Sequence, residues 1–206
     1  MIRDPKDLKR YEPKERANHW VVGISFILLA LSGLAFFHPA FFPLTQLFGG
    51  PTWARIIHPY LGVLMAVSFL GLYIRFKHLN KMTPADKEWL AKAKNMVDGN
   101  DHDMPEQGKY NGGQKVMFWA LAVSMLLMTV SGLLIWRAWF GFDITLVRLG
   151  AVVHAAAGAV MIALIMVHVY AAIWVKGTIR AMWYGTVTRA WAKQHHRGWY
   201  RQVTGK

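Results

Sequence analysis

The chain contains no cysteine. That excludes a disulfide, a thiolate zinc site, an iron–sulfur cluster and a haem attached through Cys-x-x-Cys-His. Acids are scarce as well: 11 Asp and Glu stand against 24 Lys and Arg, a formal net charge of +13 over 206 residues. Charged residues make up 17 % of the sequence, below the roughly 25 % of an average soluble domain. The N-terminal stretch also lacks a short apolar run before an Ala-x-Ala-like site. No cleaved signal peptide is therefore expected, and the first long apolar run must direct its own insertion.

What the sequence holds instead is apolar length. Four runs nearly free of ionisable groups cover residues 20–37, 56–74, 117–136 and 149–175. A helix needs about 20 apolar residues to cross the hydrocarbon core of a bilayer, so each run predicts one membrane span. The expected fold class is an all-α integral membrane protein, a four-transmembrane-helix bundle forming one domain over residues 1–206. Residues 81–108 hold Pro84, Pro105 and six of the acids, and predict a loop with room for one short surface helix.

The basic residues sort by segment. Arg3, Lys6, Lys9, Arg10, Lys14 and Arg16 precede the first span, eight more lie in residues 75–116, and seven follow from Lys176 onward. Only Arg55, Arg137 and Arg148 fall in the first and third connections. This bias places both termini and the second connection in the cytoplasm. Because the charge is divided among three segments, it argues against a nucleic-acid surface and suits a membrane, with anionic lipid as a neighbour.

A weak internal repeat runs through the spans. Leu31-Ser32-Gly33-Leu34 in span one is echoed by Val130-Ser131-Gly132-Leu133 in span three, and His58-Pro59-Tyr60-Leu61-Gly62 in span two by His154-Ala155-Ala156-Ala157-Gly158 in span four. Two helical hairpins of related design are expected.

Histidines carry the chemistry. Ionisable groups inside a membrane are costly and usually face a functional interior. Of nine histidines, four sit where a bundle interior can use them: His19, His58, His154 and His168. His154 and His168 are separated by about four helical turns, so they point to one side at depths roughly 21 Å apart. They are too distant to share one ion, and each needs its own partner. By depth, His58 pairs with His154 near the outer surface and His19 with His168 near the inner one. Structural zinc takes four protein ligands and catalytic zinc usually three, whereas an iron that has four porphyrin nitrogens needs two imidazoles. Without cysteine the porphyrin is held non-covalently, which points to two b-type haems.

Gly62 and Gly158 follow their histidines by one turn and let a flat macrocycle approach the backbone; Gly33 faces the same side as His19 at the depth of the outer haem. His38 and His78 lie about 100° and about 160° off the relevant faces and are not expected to be ligands. His102, His195 and His196 lie in polar segments and are expected to be solvated.

Several motifs extend this picture: His19-Trp20, Arg55-Ile56-Ile57-His58-Pro59, and Gly108-Lys109-Tyr110-Asn111-Gly112-Gly113-Gln114-Lys115. His168-Val169-Tyr170, Trp174-Val175-Lys176-Gly177 and Trp191-Ala192-Lys193 through His195-His196 complete the set. On these residues, from Arg16 to Arg201, the chain resembles the gamma subunit (cytochrome b) of bacterial membrane-bound formate dehydrogenase. The resemblance implies a diheme cytochrome b of the bacterial inner membrane, with the same ligand pairs: His58 and His154 on the periplasmic haem, His19 and His168 on the cytoplasmic one. It further implies a quinone pocket at Asn111, Gly113 and Gln114 beside His168, although Asn-Gly-Gly-Gln by itself reads as a turn and cap opening span three.

The implied partners are an iron–sulfur beta subunit that delivers electrons and a molybdenum- or tungsten-dependent alpha subunit that oxidises formate, assembled with room for a higher oligomer. The chain would carry electrons to quinone and would not itself oxidise formate. Two rivals stay open. One is the cytochrome b subunit of another periplasmic oxidoreductase, such as a nickel–iron hydrogenase or thiosulfate reductase. The other is a haem-free anchor or transporter, whose marks would be intramembrane acids or broken helices. The sequence has neither.

Overall fold

A computed structural model describes residues 4–98 and 104–205; of the histidines, only His102 lies outside them. Four long helices dominate: α1 (Pro13–Phe37), α2 (Pro51–Phe76), α5 (Gly112–Ile135) and α6 (Ile144–Trp174). Each is long and apolar enough to cross a membrane, with mean hydropathy between 1.7 and 2.3 in its most apolar stretch. All four begin earlier in the chain than the apolar runs alone suggest. Pro13 and Pro51 open α1 and α2, since proline at the first helical position loses no hydrogen bond the helix would have made.

The shorter elements follow from local chemistry. A 3₁₀ segment, Pro39–Phe48, ends on Gly49, whose φ of 84° is a left-handed conformation natural to glycine. The expected loop over residues 81–108 holds two short helices, α3 (Pro84–Ala91) and α4 (Ala93–Val97). Thr83 and Asp86 cap α3 reciprocally. The chain ends form more structure than a polar composition suggests. Strand β1 (Leu8–Lys9) pairs antiparallel with β2 (Thr186–Val187), Leu8 opposite Val187. Helices α7 (Thr178–Tyr184), α8 (Arg189–His195) and α9 (Arg197–Thr204) surround that ribbon in sequence.

The chain divides into two compact units. A bundle unit comprises Ala17–Ile74 and Leu121–Val167. Its centre is built from Met65, Met125 and Met161, with Val22, Phe26, Leu29, Phe69, Leu121 and Met128 against them. Buried Ser25, Ser32, Ser124 and Ser131 line the inner faces, where small residues let helices come close. Outward, Ile24, Val67, Leu126 and Val152 are exposed, the arrangement of a protein whose solvent is lipid. A terminal unit comprises Met1–Arg16, Arg75–Ala120 and His168–Lys206. Its core is Ala181, Val187, Trp191, Ala192 and Trp199, flanked by Leu8, Tyr11 and Tyr200.

Candidate functional site

The bundle unit brings His58 of α2 and His154 of α6 together, their ring centroids 6.2 Å apart and their planes at 67°. An iron held between two imidazoles sets ring centres about 6 Å apart, given metal–nitrogen bonds of about 2 Å. The observed spacing fits one.

Each ring is held by a serine on the partner helix of its own hairpin. Ser32 on α1 lies 2.7 Å from His58 Nδ1, and Ser131 on α5 lies 3.0 Å from His154 Nδ1. Both hydroxyls already donate to the carbonyl one turn back, Ser32 to Leu28 at 2.9 Å and Ser131 to Leu127 at 2.6 Å. A hydroxyl has one proton. The serine oxygens therefore accept, the imidazoles donate from Nδ1, and Nε2 keeps the lone pair that a metal requires.

The glycine after each serine lies beside the same ring. A Cβ at Gly33 would sit 3.7 Å from His58 Cε1, and one at Gly132 would sit 3.3 Å from His154 Cε1. A Cβ at Gly62 would meet nothing within 4 Å, whereas one at Gly158 would touch the end of the Met128 side chain at 3.7 Å. Gly33 thus abuts the histidine ring itself, a contact that its placement relative to His19 did not reveal. Ser32 and Ser131 were the residues that sequence reasoning passed over. Their signal is the Ser-Gly repeat shared by spans one and three.

The other histidines sort as follows. His168 stands on α6 with His154, and that helix is unbroken from Ile144 to Trp174, so the 14-residue spacing between them is realised. His19 stands near the start of α1, edge-on to Trp20 at 5.7 Å. His38 accepts from Ala40 N–H at 3.2 Å as the cap of the 3₁₀ segment, and His78 is exposed. His196 corrects the expectation of a solvated tail: it is 1 % exposed. Among the described residues no three His, Asp or Glu converge to hold a metal ion.

In the terminal unit His196 Nδ1 donates to Gly108 O at 2.8 Å, and Nε2 lies 3.3 Å from Arg10 Nη2. Burial first, and the Arg10 charge next, push the His196 pKa down to about 3. Arg10 also donates to Lys109 O and lies over the Trp191 and Trp199 rings at 4.9 and 4.8 Å. Residues 108–110 are thereby fastened to both chain ends. Burial, and then the adjacent Arg10, lowers the pKa of the Lys109 ammonium. The Tyr110 phenol is raised by burial and by Tyr11.

Beyond them, Asn111 N–H donates to Gln114 Oε1 at 3.1 Å and Gln114 N–H to Asn111 Oδ1 at 2.9 Å. This is a reciprocal cap on α5. The intervening glycines answer to α3: a Cβ at Gly112 would lie 2.6 Å from Asp86 O, and one at Gly113 would lie 3.0 Å from the Trp89 ring. Capping and close packing account for all four residues of Asn-Gly-Gly-Gln. The side-chain amide nitrogens of Asn111 and Gln114 are not used by the cap.

Residues 10–185 match the family model described as prokaryotic cytochrome b561. The chain is 44 % identical over 191 residues to the nitrate-inducible formate dehydrogenase cytochrome b556(Fdn) subunit of Escherichia coli K12, spanning 92 % of this chain and 88 % of that one. It is 45 % identical over 196 residues to the formate dehydrogenase cytochrome b556(fdo) subunit of the same strain, spanning 94 % and 92 %. The formate dehydrogenase cytochrome b556 subunit of Haemophilus influenzae is 38 % identical over 195 residues, spanning 94 % and 82 %.

Proposed function

Because the chain belongs to the prokaryotic cytochrome b561 family, we propose that it carries electrons through two b-type haems to quinone in a formate dehydrogenase complex. It is a multi-pass cytochrome b of the bacterial inner membrane, and membrane electron transfer is its task.

One observation carries the reading: two imidazoles, 6.2 Å apart, each with its Nδ1 tied to a serine. His58 and His154 would hold one haem, and His19 and His168 a second, about four turns away along α6. Bound there, haem supplies a one-electron carrier at each depth. The chain's own part would be to present Nε2 of His58 and His154, with the rings oriented by Ser32 and Ser131.

The basic bias supports an orientation with both termini and residues 75–116 in the cytoplasm. The His58–His154 haem would then lie on the periplasmic side. Names of the relatives support a formate dehydrogenase complex, in which an iron–sulfur subunit would feed electrons to that haem from a molybdenum- or tungsten-dependent catalytic subunit. Asn111, Gly113 and Gln114, with His168, would receive the quinone near the cytoplasmic haem; this part rests on the family resemblance. The whole of residues 1–206 would act as a single membrane cytochrome b domain.

The test is haem count in the purified chain. His154→Ala should remove the periplasmic haem and leave one, His168→Ala should remove the other, and His38→Ala and His78→Ala should leave two. Two haems in the His154→Ala protein would overturn the ligand assignment.

A further inference from the structure

We infer that Ser32 and Ser131 are positioning residues that lower the reduction potential of the haem held by His58 and His154. The inference rests on the reading that those two histidines are its ligands.

The geometry leaves the serines one role. Ser32 is 0 % exposed and Ser131 2 %, so water does not compete for the imidazole Nδ1–H groups. Each hydroxyl proton is committed to a helix carbonyl, that of Leu28 or Leu127, and the oxygen left over accepts from the ring. Hydrogen bonding at the far nitrogen of a metal-bound imidazole makes the ligand more basic. A more basic ligand favours the more positively charged, oxidised iron.

The glycine that follows each serine lies beside the same ring. A Cβ at Gly33 would be in ordinary contact with Cε1 of His58, and one at Gly132 would press on Cε1 of His154; in each hairpin the serine lies one residue before. Each hairpin, α1 with α2 and α5 with α6, thus carries its own Ser-Gly pair and its own ligand. The repeat at a shift of 99 residues is a repeat of this device.

Ser32→Ala, Ser131→Ala and the double variant can be measured in the haem-loaded membrane complex, with haem count and potentiometry followed by visible absorption. Both haems should remain. At a fixed ambient potential the reduced-to-oxidised ratio of the periplasmic haem should rise about twofold to tenfold per serine, the equivalent of one hydrogen bond. The double variant should compound the two shifts, and the cytoplasmic haem should stay at its parental potential. Ser32→Thr and Ser131→Thr keep the hydroxyl and should restore the parental value, including where the alanine variant loses haem.

Parental potentials in both alanine variants, an equal shift of both haems, or haem loss that threonine does not restore would each overturn the inference. His58→Ala separates it from the reading beneath. If that variant keeps two haems, the ligand assignment falls and the serine role with it. If it loses one while the serine variants stay at the parental potential, the serine role alone falls.

Discussion

In the bundle unit a hydroxyl finds its partner one helical turn away, whereas in the terminal unit polar groups reach across the chain. Ser32, Ser131 and Thr129 all donate to carbonyls four residues back. Arg10 and His196 are 186 residues apart, and Arg180 and Asp7 are 173 apart. The difference follows from the solvent. Lipid offers no hydrogen bonds, so polar groups in a span are satisfied within the helix or by one neighbour at a designed site. Where water reaches the chain, distant segments can be fastened by charge, provided the charges are paired when buried.

The strongest way to break this contrast is to remove one half of a buried pair. Lys115 donates to Asp86 at 2.6 Å, and both side chains are buried, at 9 % and 2 % exposure. Burial by itself would raise the Asp86 pKa, but the bonds from Lys115 and Thr83 outweigh it and lower the carboxyl. Asp86→Ala strands the Lys115 charge and should cost about 3–5 kcal/mol, read as a lower unfolding temperature in detergent. The bundle counterpart, Thr129→Val, removes a hydroxyl that serves its own helix and should cost no more than about 1 kcal/mol. Equal losses would erase the distinction. Because the folded Asp86 pKa is depressed, its contribution is complete above the unfolded value near 3.9 and is lost as pH falls through the folded one.

A smaller effect, lost in the same direction but beginning at higher pH, belongs to His196. Its folded pKa is about 3, against an unfolded value of about 6.5. Between these values the unfolded chain takes up a proton that the folded chain refuses. Stability is therefore complete above about pH 6.5 and declines by about 1.4 kcal/mol per unit below it. Between pH 6.5 and 5 the protein should lose about 2 kcal/mol by this route. His196→Gln, which can still donate to Gly108 O and accept from Arg10, should flatten that slope. An unchanged slope would place the acid sensitivity elsewhere.

How much of this was legible in the sequence follows the same divide. The spans could be read because a bilayer demands unbroken apolar length, and the His58–His154 pairing because membrane depth and helix rotation leave few alternatives. Both are one-dimensional constraints. The serines were visible as a repeat but not as partners of the His58 and His154 rings, since those contacts cross from one helix to the next and no periodicity records that. The burial of His196 has no sequence signal, because a basic, polar tail gives no sign that Arg10 and Trp191 will pack beside it. Contacts at separations near 190 residues leave no local pattern. Asn-Gly-Gly-Gln was legible in two ways at once, and the cap was the one its residues stated unaided.

Gln114 sharpens the comparison most finely, because it pairs locally, in the manner of the bundle, while belonging to the terminal unit. Its Oε1 accepts from Asn111 N–H, so Gln114→Leu would remove the cap along with any contact to a quinone and cannot separate the two. Gln114→Glu can. A carboxylate oxygen still accepts from Asn111 N–H, and a negative charge at a helix N-terminus is favourable, but the amide N–H donors are gone. If the amide binds a quinone carbonyl, both variants should raise the quinone concentration for half-maximal haem reoxidation by about twofold to tenfold, one hydrogen bond's worth. Formate should still reduce both haems, since Gln114 ligates neither. If the residue is a cap and nothing more, the glutamate variant should reoxidise at the parental rate and only the leucine variant should lose stability, by about 0.5–2 kcal/mol. Parental kinetics in the glutamate variant at every quinone concentration would therefore remove Gln114 from the quinone site and leave it as the helix cap that its geometry already describes.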